Sequence, residues 1–589
     1  MHRVDPINRL PAKGACMAYI DAFKANSNLI KNLGEGNAYL VWVVAMYLEE
    51  PDIEALASEA LTDGPDDKKI DLIYIDRDNR RILFSQGYLG EGKKDAAPAN
   101  KASDLNTASA WLLSGDVSQV PTALQSSITE CREALANGEV DSVELLYVHN
   151  YPESVNVAKE LQTASAHFKK SLDAEWAVSV TARELGAARI EHLFASQESQ
   201  IQVKDELICP AKIAFTETGP KWEAAVMSVP GTWLHELYAK YGDDLFSANY
   251  RGFLGISRRK RINSGIRQTA EVKPADFWVF NNGITLITLG KSDTKDGQTK
   301  LTGVSIINGA QTTGSLGTVD ATKNDLKSVK VMCRVIQSTD PETIGDIVKY
   351  NNTQNEITTW DQYSNDSEQN RIADEFSAIG HNYVRKRGFR VQGDQIGIEE
   401  VAQPLLAFHG RPQDAARGKN QIFDRKPLYH NAFEGKKARH ILFVYTLARA
   451  IDDLRLQLKG KSTDGTILSL ESNQLALLRN LRSKAFLIAL MAQTLETVIG
   501  KKVDPLTIAF SSNAAQAGTN SLVELVARWL PIVTGLAAFA TTIVTSADLS
   551  NSFGDDKYLE EVASKISALQ YASNVATQHK EFAALVSDS

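Results

Sequence analysis

The stretch KIDLIYIDRDNRRILFSQGY, Lys69 to Tyr88, decides the fold of the amino-terminal region. KIDLIYID (Lys69–Asp76) and RILFSQGY (Arg81–Tyr88) alternate or run apolar, rich in β-branched and aromatic residues. Arg77-Asp78-Asn79-Arg80 between them has the composition of a hairpin turn. Upstream, NAYLVWVVAMYLEE (Asn37–Glu50) reads as a buried helix closed before Pro51, a residue that cannot continue it. Downstream come helical patterns around Leu105–Leu113 and Ala123–Asn137, then VELLYVH (Val143–His149) as a third strand. Helix, hairpin, helix and strand in that order define an α/β unit around a small central sheet.

The rest of the 589-residue chain extends this unit into a multidomain protein of mixed α/β and α+β class. A pattern change near residue 170 places the first domain at 1–170. Residues 171–435 mix short strands (VKDELICPAKIAF, WEAAVMSV, GITLITL, KVMCRVI) with Asn/Gly-rich corners, as an α+β core does. From 436 to 589 the spacing is helical and reads as a bundle, including ARHILFVYTLARAIDDLRLQL and SNQLALLRNLRSKAFLIALMAQTLETVIG. Within it, Trp529 to Ala547 carries no charge and has the length of a membrane span. Pro531, Gly535 and five Ser/Thr dilute its apolarity, so it reads as a core helix, broken at Pro531 or Gly535.

Net charge is −8 with a pI near 5.8, which excludes a histone-like coat and requires any grip on nucleic acid to come from a local basic patch. Cys16, Cys131, Cys209 and Cys333 lie far apart without a CxxC pair, which argues against a disulfide framework and for a reducing compartment. The amino terminus, interrupted by charge and Pro, lacks the apolar core of a secretory signal, so the sequence reads as cytoplasmic. HExxH, GxSxG and Walker A patterns do not occur, which removes the usual signatures of zinc proteases, serine hydrolases and P-loop ATPases.

Asp71 on the first strand and Gln86 near the end of the second would be brought together by the hairpin. An acid beside an amide oxygen can share a divalent ion that activates water and neutralises a phosphodiester. This pair resembles the PD-(D/E)XK restriction-endonuclease-like fold, whose variant form carries Asp on one strand and Gln-x-Lys on the next. The resemblance implies Mg²⁺ held by Asp71 and Gln86 and an acid from the preceding helix, for which Glu35, Glu49 and Glu50 are candidates. Tyr88 stands where that fold carries Lys; Lys93 or Lys94, just beyond in GEGKKD, would supply the ammonium, with Lys93 named as the catalytic residue. The alternative is that Asp71 and Gln86 are ordinary polar residues at a sheet edge.

The central region carries a more distinctive set: LFSANYRGFLG (Leu245–Gly255), FWVFNNGIT (Phe277–Thr285), INGAQTT (Ile307–Thr313) and NNTQN (Asn351–Asn355). YVRKRG (Tyr383–Gly388) and QPLLAFHGRP (Gln403–Pro412) follow. Their Asn249, Arg251, Asn281, Asn282, Asn308, Gln311, Thr312, Asn351, Asn352 and Gln354 offer paired donors and acceptors but no strong nucleophile, and Gly283 and Gly309 suit tight corners. Such groups either brace strand ends or present a ligand surface. These motifs resemble the abortive-infection phage-resistance (AIPR) family over about residues 200–435. The resemblance implies a bacterial anti-phage protein acting on nucleic acid, often with an amino-terminal nuclease-like domain.

Two basic concentrations lie beside these motifs: Arg258-Arg259-Lys260-Arg261 with Arg267, and Arg385-Lys386-Arg387. In an acidic chain they mark a phosphate-tracking groove if they converge. The expected partner is therefore DNA or RNA, with a second defence protein or a second copy of the chain as further partners and no membrane. The sequence thus points to a metal-dependent nuclease of phage defence. A nucleic-acid-binding sensor or scaffold with a degenerate nuclease domain is the alternative.

Overall fold

A computed structural model describes residues 18–62, 68–113, 116–173, 176, 178–198, 201, 203–242, 245–246, 260–294, 298–352, 366–385, 395–573 and 576–588. After two short helices, Ala18–Lys24 and Ser27–Leu33, the amino-terminal region forms α1 (Glu35–Leu48), in which every residue from Ala38 to Tyr47 is buried. Glu49 closes the helix in the left-handed region at φ 55°. After α2 (Ile53–Ala60) come β1 (Leu72–Asp76) and β2 (Arg81–Tyr88), paired antiparallel with Leu72 opposite Ser85 and Asp76 opposite Arg81. The turn is held by the Asp76 carboxylate, which accepts from the Asn79 backbone N–H at 2.9 Å and its side-chain amide at 2.8 Å. Two helices, α3 (Ala99–Leu113) and α4 (Thr122–Ala136), lead to β3 (Ser142–His149), and α5 (Val155–Ser171) leads to β4 (Ser179–Leu185). β2, β3 and β4 are parallel, in the order β1-β2-β3-β4. Parallel neighbours need crossovers, which is why helices separate them in sequence.

Side chains alternate along a strand. Ile73, Ile75, Ile82, Phe84 and Leu145 therefore share one face, where they pack with Leu105, Leu112, Ile128, Leu161 and Phe168 of α3, α4 and α5. Burying each such side chain contributes about 1.5–3 kcal/mol. α1 lies on the other face: a Cβ at Gly87 would sit 3.3 Å from Leu40, and Tyr47 Oη donates to Glu144 at 3.1 Å.

The second sheet is six-stranded: β5 (Val203–Cys209), β6 (Ile213–Gly219), β7 (Trp222–Pro230), β8 (Ile284–Asp293), β9 (Thr299–Asn308) and β10 (Lys330–Gln337), ordered β5-β9-β8-β10-β7-β6. β8 and β10 are parallel and the other neighbours antiparallel. Around it lie α6 (Gly231–Tyr241), α7 (Lys260–Val272), α8 (Phe277–Phe280), α9 (Ala310–Gly317) and α10 (Pro341–Asn352). The four strand patterns cover β5, β7, β8, β10 and the start of β6, the last within the same segment as β5, and miss β9, whose Gly303 interrupts the alternation. Gly303 is at φ 65°, and a Cβ there would meet Leu289 at 2.7 Å, so it marks a close approach between strands.

The carboxy-terminal region is helical, with α11 (Ala438–Thr463), α12 (Ser483–Ile499), α13 (Leu522–Ala540) and α14 (Asp556–Ala572) around one core. The segment read as SNQLALLRNLRSKAFLIAL breaks after the helix Ser469–Leu478, because Asn480 Oδ1 accepts from the Arg482 N–H at 2.9 Å in a local turn. α13 is long and apolar enough to cross a membrane by length and composition. Leu525, Trp529, Val533, Leu536 and Ala537 form its buried stripe against the bundle core. It runs unbroken through Pro531 and Gly535, contrary to the expected break; Pro531 lies on the exposed side, where the freed carbonyl meets water.

Compact units do not follow sequence order. Residues 17–190 and 359–589 form one unit and residues 191–358 another. In the first, Ser58 of α2 donates to Asp452 of α11 at 2.9 Å, and Lys459 Nζ donates to the Ser58 and Leu61 carbonyls at 2.8 and 2.5 Å. Arg449 pairs with Asp52 and Glu54, and Lys419 with Glu50 at 2.7 Å. The amino-terminal sheet and the carboxy-terminal helices are thereby joined by buried charge.

Candidate functional site

Asp71 precedes β1 by one residue and extends its ladder, its N–H donating to the Ser85 carbonyl at 3.0 Å. That register sets it opposite Gln86, and the two side chains meet: Gln86 Nε2 donates to Asp71 Oδ2 at 2.5 Å, and the Gly87 N–H donates to the same oxygen at 2.7 Å. The carboxylate fixes the amide's orientation, since a flipped amide would set oxygen against oxygen. Gln86 Oε1 is consequently a buried acceptor with no hydrogen-bond partner, on a residue 3% exposed. An unpaired buried acceptor costs about 1–3 kcal/mol. Gln86 Oε1 and the half-buried Asp71 carboxylate are the side-chain oxygens of this pair that could hold a divalent ion, with the amide N–H, not its oxygen, turned toward Asp71.

The same edge carries more than the sequence pair. Alternation and register put Gln86, Tyr147 and Glu184 in one row and Tyr88 and His149 in the next, all at the carboxyl ends of parallel strands, where open α/β sheets place ligands. His149 and Glu184 were missed by sequence reasoning; the available signal was that β2, β3 and β4 all turn polar at this end. They meet at 3.0 Å, with Glu184 Oε1 also accepting from the Ser154 N–H at 3.1 Å. His149 is fully buried, so this pair stiffens the edge.

Beyond β2 the chain folds back over Tyr88. Asn150 brackets Gly90, its Oδ1 accepting from the Gly90 N–H at 3.0 Å and its Nδ2 donating to the Gly90 carbonyl at 2.8 Å; Tyr151 Oη donates to the Glu91 carbonyl at 2.9 Å. A Cβ at Gly90 would lie 2.4 Å from Tyr151 Oη, so only glycine fits. This strap sets Lys94 Nζ 3.4 Å from Tyr88 Oη and 5.9 and 5.7 Å from the Tyr88 and Tyr151 ring centres. The hydroxyl contact raises the Lys94 pKa. Lys94, rather than Lys93, is thus the lysine that reaches the Tyr88 position.

The helix acids are placed differently. Glu50 pairs with Lys419, and Glu49 and Glu50 line a small crevice with Asp76, Asp78 and Asn79, at the turn end of the hairpin and away from Asp71. Glu35 is exposed at the start of α1. Among the described residues no group of three His, Cys, Asp or Glu is arranged to hold a metal.

The Asn motifs meet at the start of β8 and the end of β9. Asn281 Oδ1 accepts from the Gly283 N–H at 2.9 Å, and its Nδ2 donates to Thr312 Oγ1 at 3.1 Å. Asn308 Nδ2 donates to the Asn351 carbonyl at 3.3 Å, and Arg334 donates to Asn351 Oδ1. Gly283 (φ 80°) and Gly309 (φ 90°) pack so closely that a Cβ on Gly283 would stand 2.4 Å from the Met332 carbonyl and one on Gly309 2.5 Å from Ile284. Asn281, Thr312, Asn308 and Asn351 therefore brace a corner. Asn282 is exposed, and neither it nor Gln311 makes a side-chain hydrogen bond among the described residues.

Of the basic residues, Arg267 on α7 pairs with Glu271 at 2.8 Å and Arg385 donates to Asn370. Arg258, Arg259, Lys386, Arg387, Asn249, Arg251 and Gln354 lie outside the described residues, as do the side chains of Lys260, Arg261 and Asn352. Arg267 and Arg385 belong to different compact units.

The described residues form a mixed α/β protein of several sheets and many helices. The AIPR protein family model matches residues 246–576. The chain belongs to that family, the abortive-infection phage-resistance proteins, which ties it to anti-phage defence. The match runs through the carboxy-terminal helices, well past the limit near 435 set by the motifs alone. No curated protein and no solved structure matches the chain.

Proposed function

We propose that the chain is a divalent-metal-dependent nuclease of abortive infection, with residues 1–170 as a restriction-endonuclease-like domain. The Asn-rich core of 171–435 and the helices of 436–589 would present and support the nucleic acid, in the cytoplasm. The observation that carries this reading is the Asp71–Gln86 contact, with its orphaned amide oxygen, on adjacent strands at the carboxyl edge of the sheet. Asp71 and Gln86 would hold Mg²⁺, which when bound lowers the pKa of water toward neutrality. The Gly87 N–H fixes the Asp71 carboxylate, and the Lys94 ammonium, seated on Tyr88, offsets charge growing on the phosphodiester. Incubating DNA and RNA with wild type, Asp71→Ala and Gln86→Ala in Mg²⁺ tests it: cleavage should vanish in Asp71→Ala, and equal cleavage by all three removes the centre.

A second reading is favoured by Tyr88 in the lysine position and by Glu184, the other carboxylate of this edge, being engaged by His149 and the Ser154 N–H. In it the domain is a degenerate nuclease that binds nucleic acid as sensor or scaffold for a separate effector, alone or as a homo-oligomer. Metal-independent binding without cleavage by the wild-type chain would select it.

A further inference from the structure

The turn that carries the FWVFNNG motif exposes apolar rings that no part of the core explains. Phe277 points inward and is fully buried, whereas Trp278, Val279 and Phe280 are 42, 73 and 64% exposed. Four residues in one short helix cannot all face a core, and here three face outward. Between α7 and α8 lies a cleft of about 280 Å³ lined by Gly265, Ile266, Thr269, Phe277, Phe280 and Asn281. Glycine at 265 keeps the α7 wall low; no atom lies within 4 Å of where its Cβ would be. α8 packs against β10, whose outward face offers Lys330 and Met332.

Among the described residues Arg267 and Lys273 stand against Glu271 and the exposed Asp276, and the surplus of positive charge comes from the sequence leading into α7, Arg258-Arg259-Lys260-Arg261. The Arg267–Glu271 pair is an exposed i,i+4 contact worth a few tenths of a kcal/mol, so a phosphate can replace the carboxylate at little cost. At the rim, Asn282 presents an amide without a side-chain partner among the described residues, suited to the hydrogen-bonding edge of a base.

Exposed aromatic rings, a shallow cleft, a free amide and local positive charge in a chain of net charge −8 are the parts of a single-strand platform, on which bases stack and cations follow the backbone. We propose that Trp278 and Phe280, with the cleft between α7 and α8, bind single-stranded nucleic acid by base stacking. This rests on the nucleic-acid reading above but not on cleavage, so the two fail separately.

The test uses the full chain in EDTA and fluorescein-labelled oligothymidylate and oligouridylate of about 12 nucleotides, followed by anisotropy against a duplex of equal length. Trp278→Ala and Phe280→Ala should each weaken single-strand binding about 5- to 150-fold. Phe280→Tyr, which keeps the ring, should bind as wild type, and affinity should fall steeply with salt. Unaltered binding in the double alanine variant, or salt-independent binding, overturns the proposal. Loss of self-association in Trp278→Ala with single-strand affinity intact would make the patch a protein interface and also overturn it. Single-strand binding by a wild-type chain that cleaves neither DNA nor RNA in Mg²⁺ would leave the platform standing and remove the nuclease.

Discussion

Asp452→Ala probes the union of the amino-terminal sheet with the carboxy-terminal helices. Asp452 is 1% exposed; it accepts from Ser58 of α2 and pairs with Lys484 of α12 at 2.5 Å. Its charge also opposes the burial that lowers the pKa of Arg455. Removing it leaves the buried Arg455 and the half-buried Lys484 without their nearest carboxylate, at about 3–5 kcal/mol. Unfolding entropy is about 2.1 cal/mol/K per residue, so for a cooperative unit of roughly four hundred residues the melting temperature should fall by about 4–6 °C. Differential scanning calorimetry should show one large endotherm moving as a whole and a smaller one, from residues 191–358, staying in place. A shift below about 1 °C, or a large endotherm that splits with one part unmoved, would refute the claim that buried charge makes these segments one unit.

Three further outcomes follow from single sites. His409 and His440 meet Nε2 to Nε2 at 2.9 Å with their Nδ1 atoms against the carbonyls of Asn431 and Ile508, and burial above all pushes their pKa values down to about 2 and about 4. The unfolded chain then takes up protons that the folded one refuses, so stability is complete above about pH 6.5 and is lost below it, by up to about 1.4 kcal/mol per pH unit for each ring; urea midpoints should lose this slope in the His409→Asn/His440→Asn double variant. Lys94→Ala should cut cleavage on the order of 10²-fold while Lys93→Ala stays within about twofold, as initial rates would show. Gly283→Ala should destabilise the six-stranded unit by at least about 2 kcal/mol, from left-handed strain and the Met332 carbonyl, read as lost hydrogen-exchange protection in β8 and β10; unchanged protection would contradict it.

The hairpin at Lys69–Tyr88 was legible because alternation and an Asp-Asn turn are local signals, and β3 because a parallel strand buried on both faces reads as a continuous apolar run. β9 was not, since Gly303 serves a close approach to Leu289 that only the pairing reveals. Asp71 and Gln86 could be paired from the hairpin alone. The choice of Lys94 over Lys93 depends on Asn150 and Tyr151, some 60 residues away in sequence, and so was hidden. The same holds for Ser58 with Asp452, 394 residues apart, which makes one unit from the two ends of the chain. The family motifs were conspicuous as sequence, yet their Asn side chains mostly brace a corner, a role that spacing does not specify.

The most direct test is isothermal calorimetry of Mn²⁺ into the full-length chain and into Asp71→Asn and Gln86→Leu. The account predicts one bound ion per chain in the wild type, with affinity at least about tenfold weaker in each variant, a loss of about 1.4 kcal/mol. Equal affinity in all three proteins, or no binding by the wild type, would contradict it.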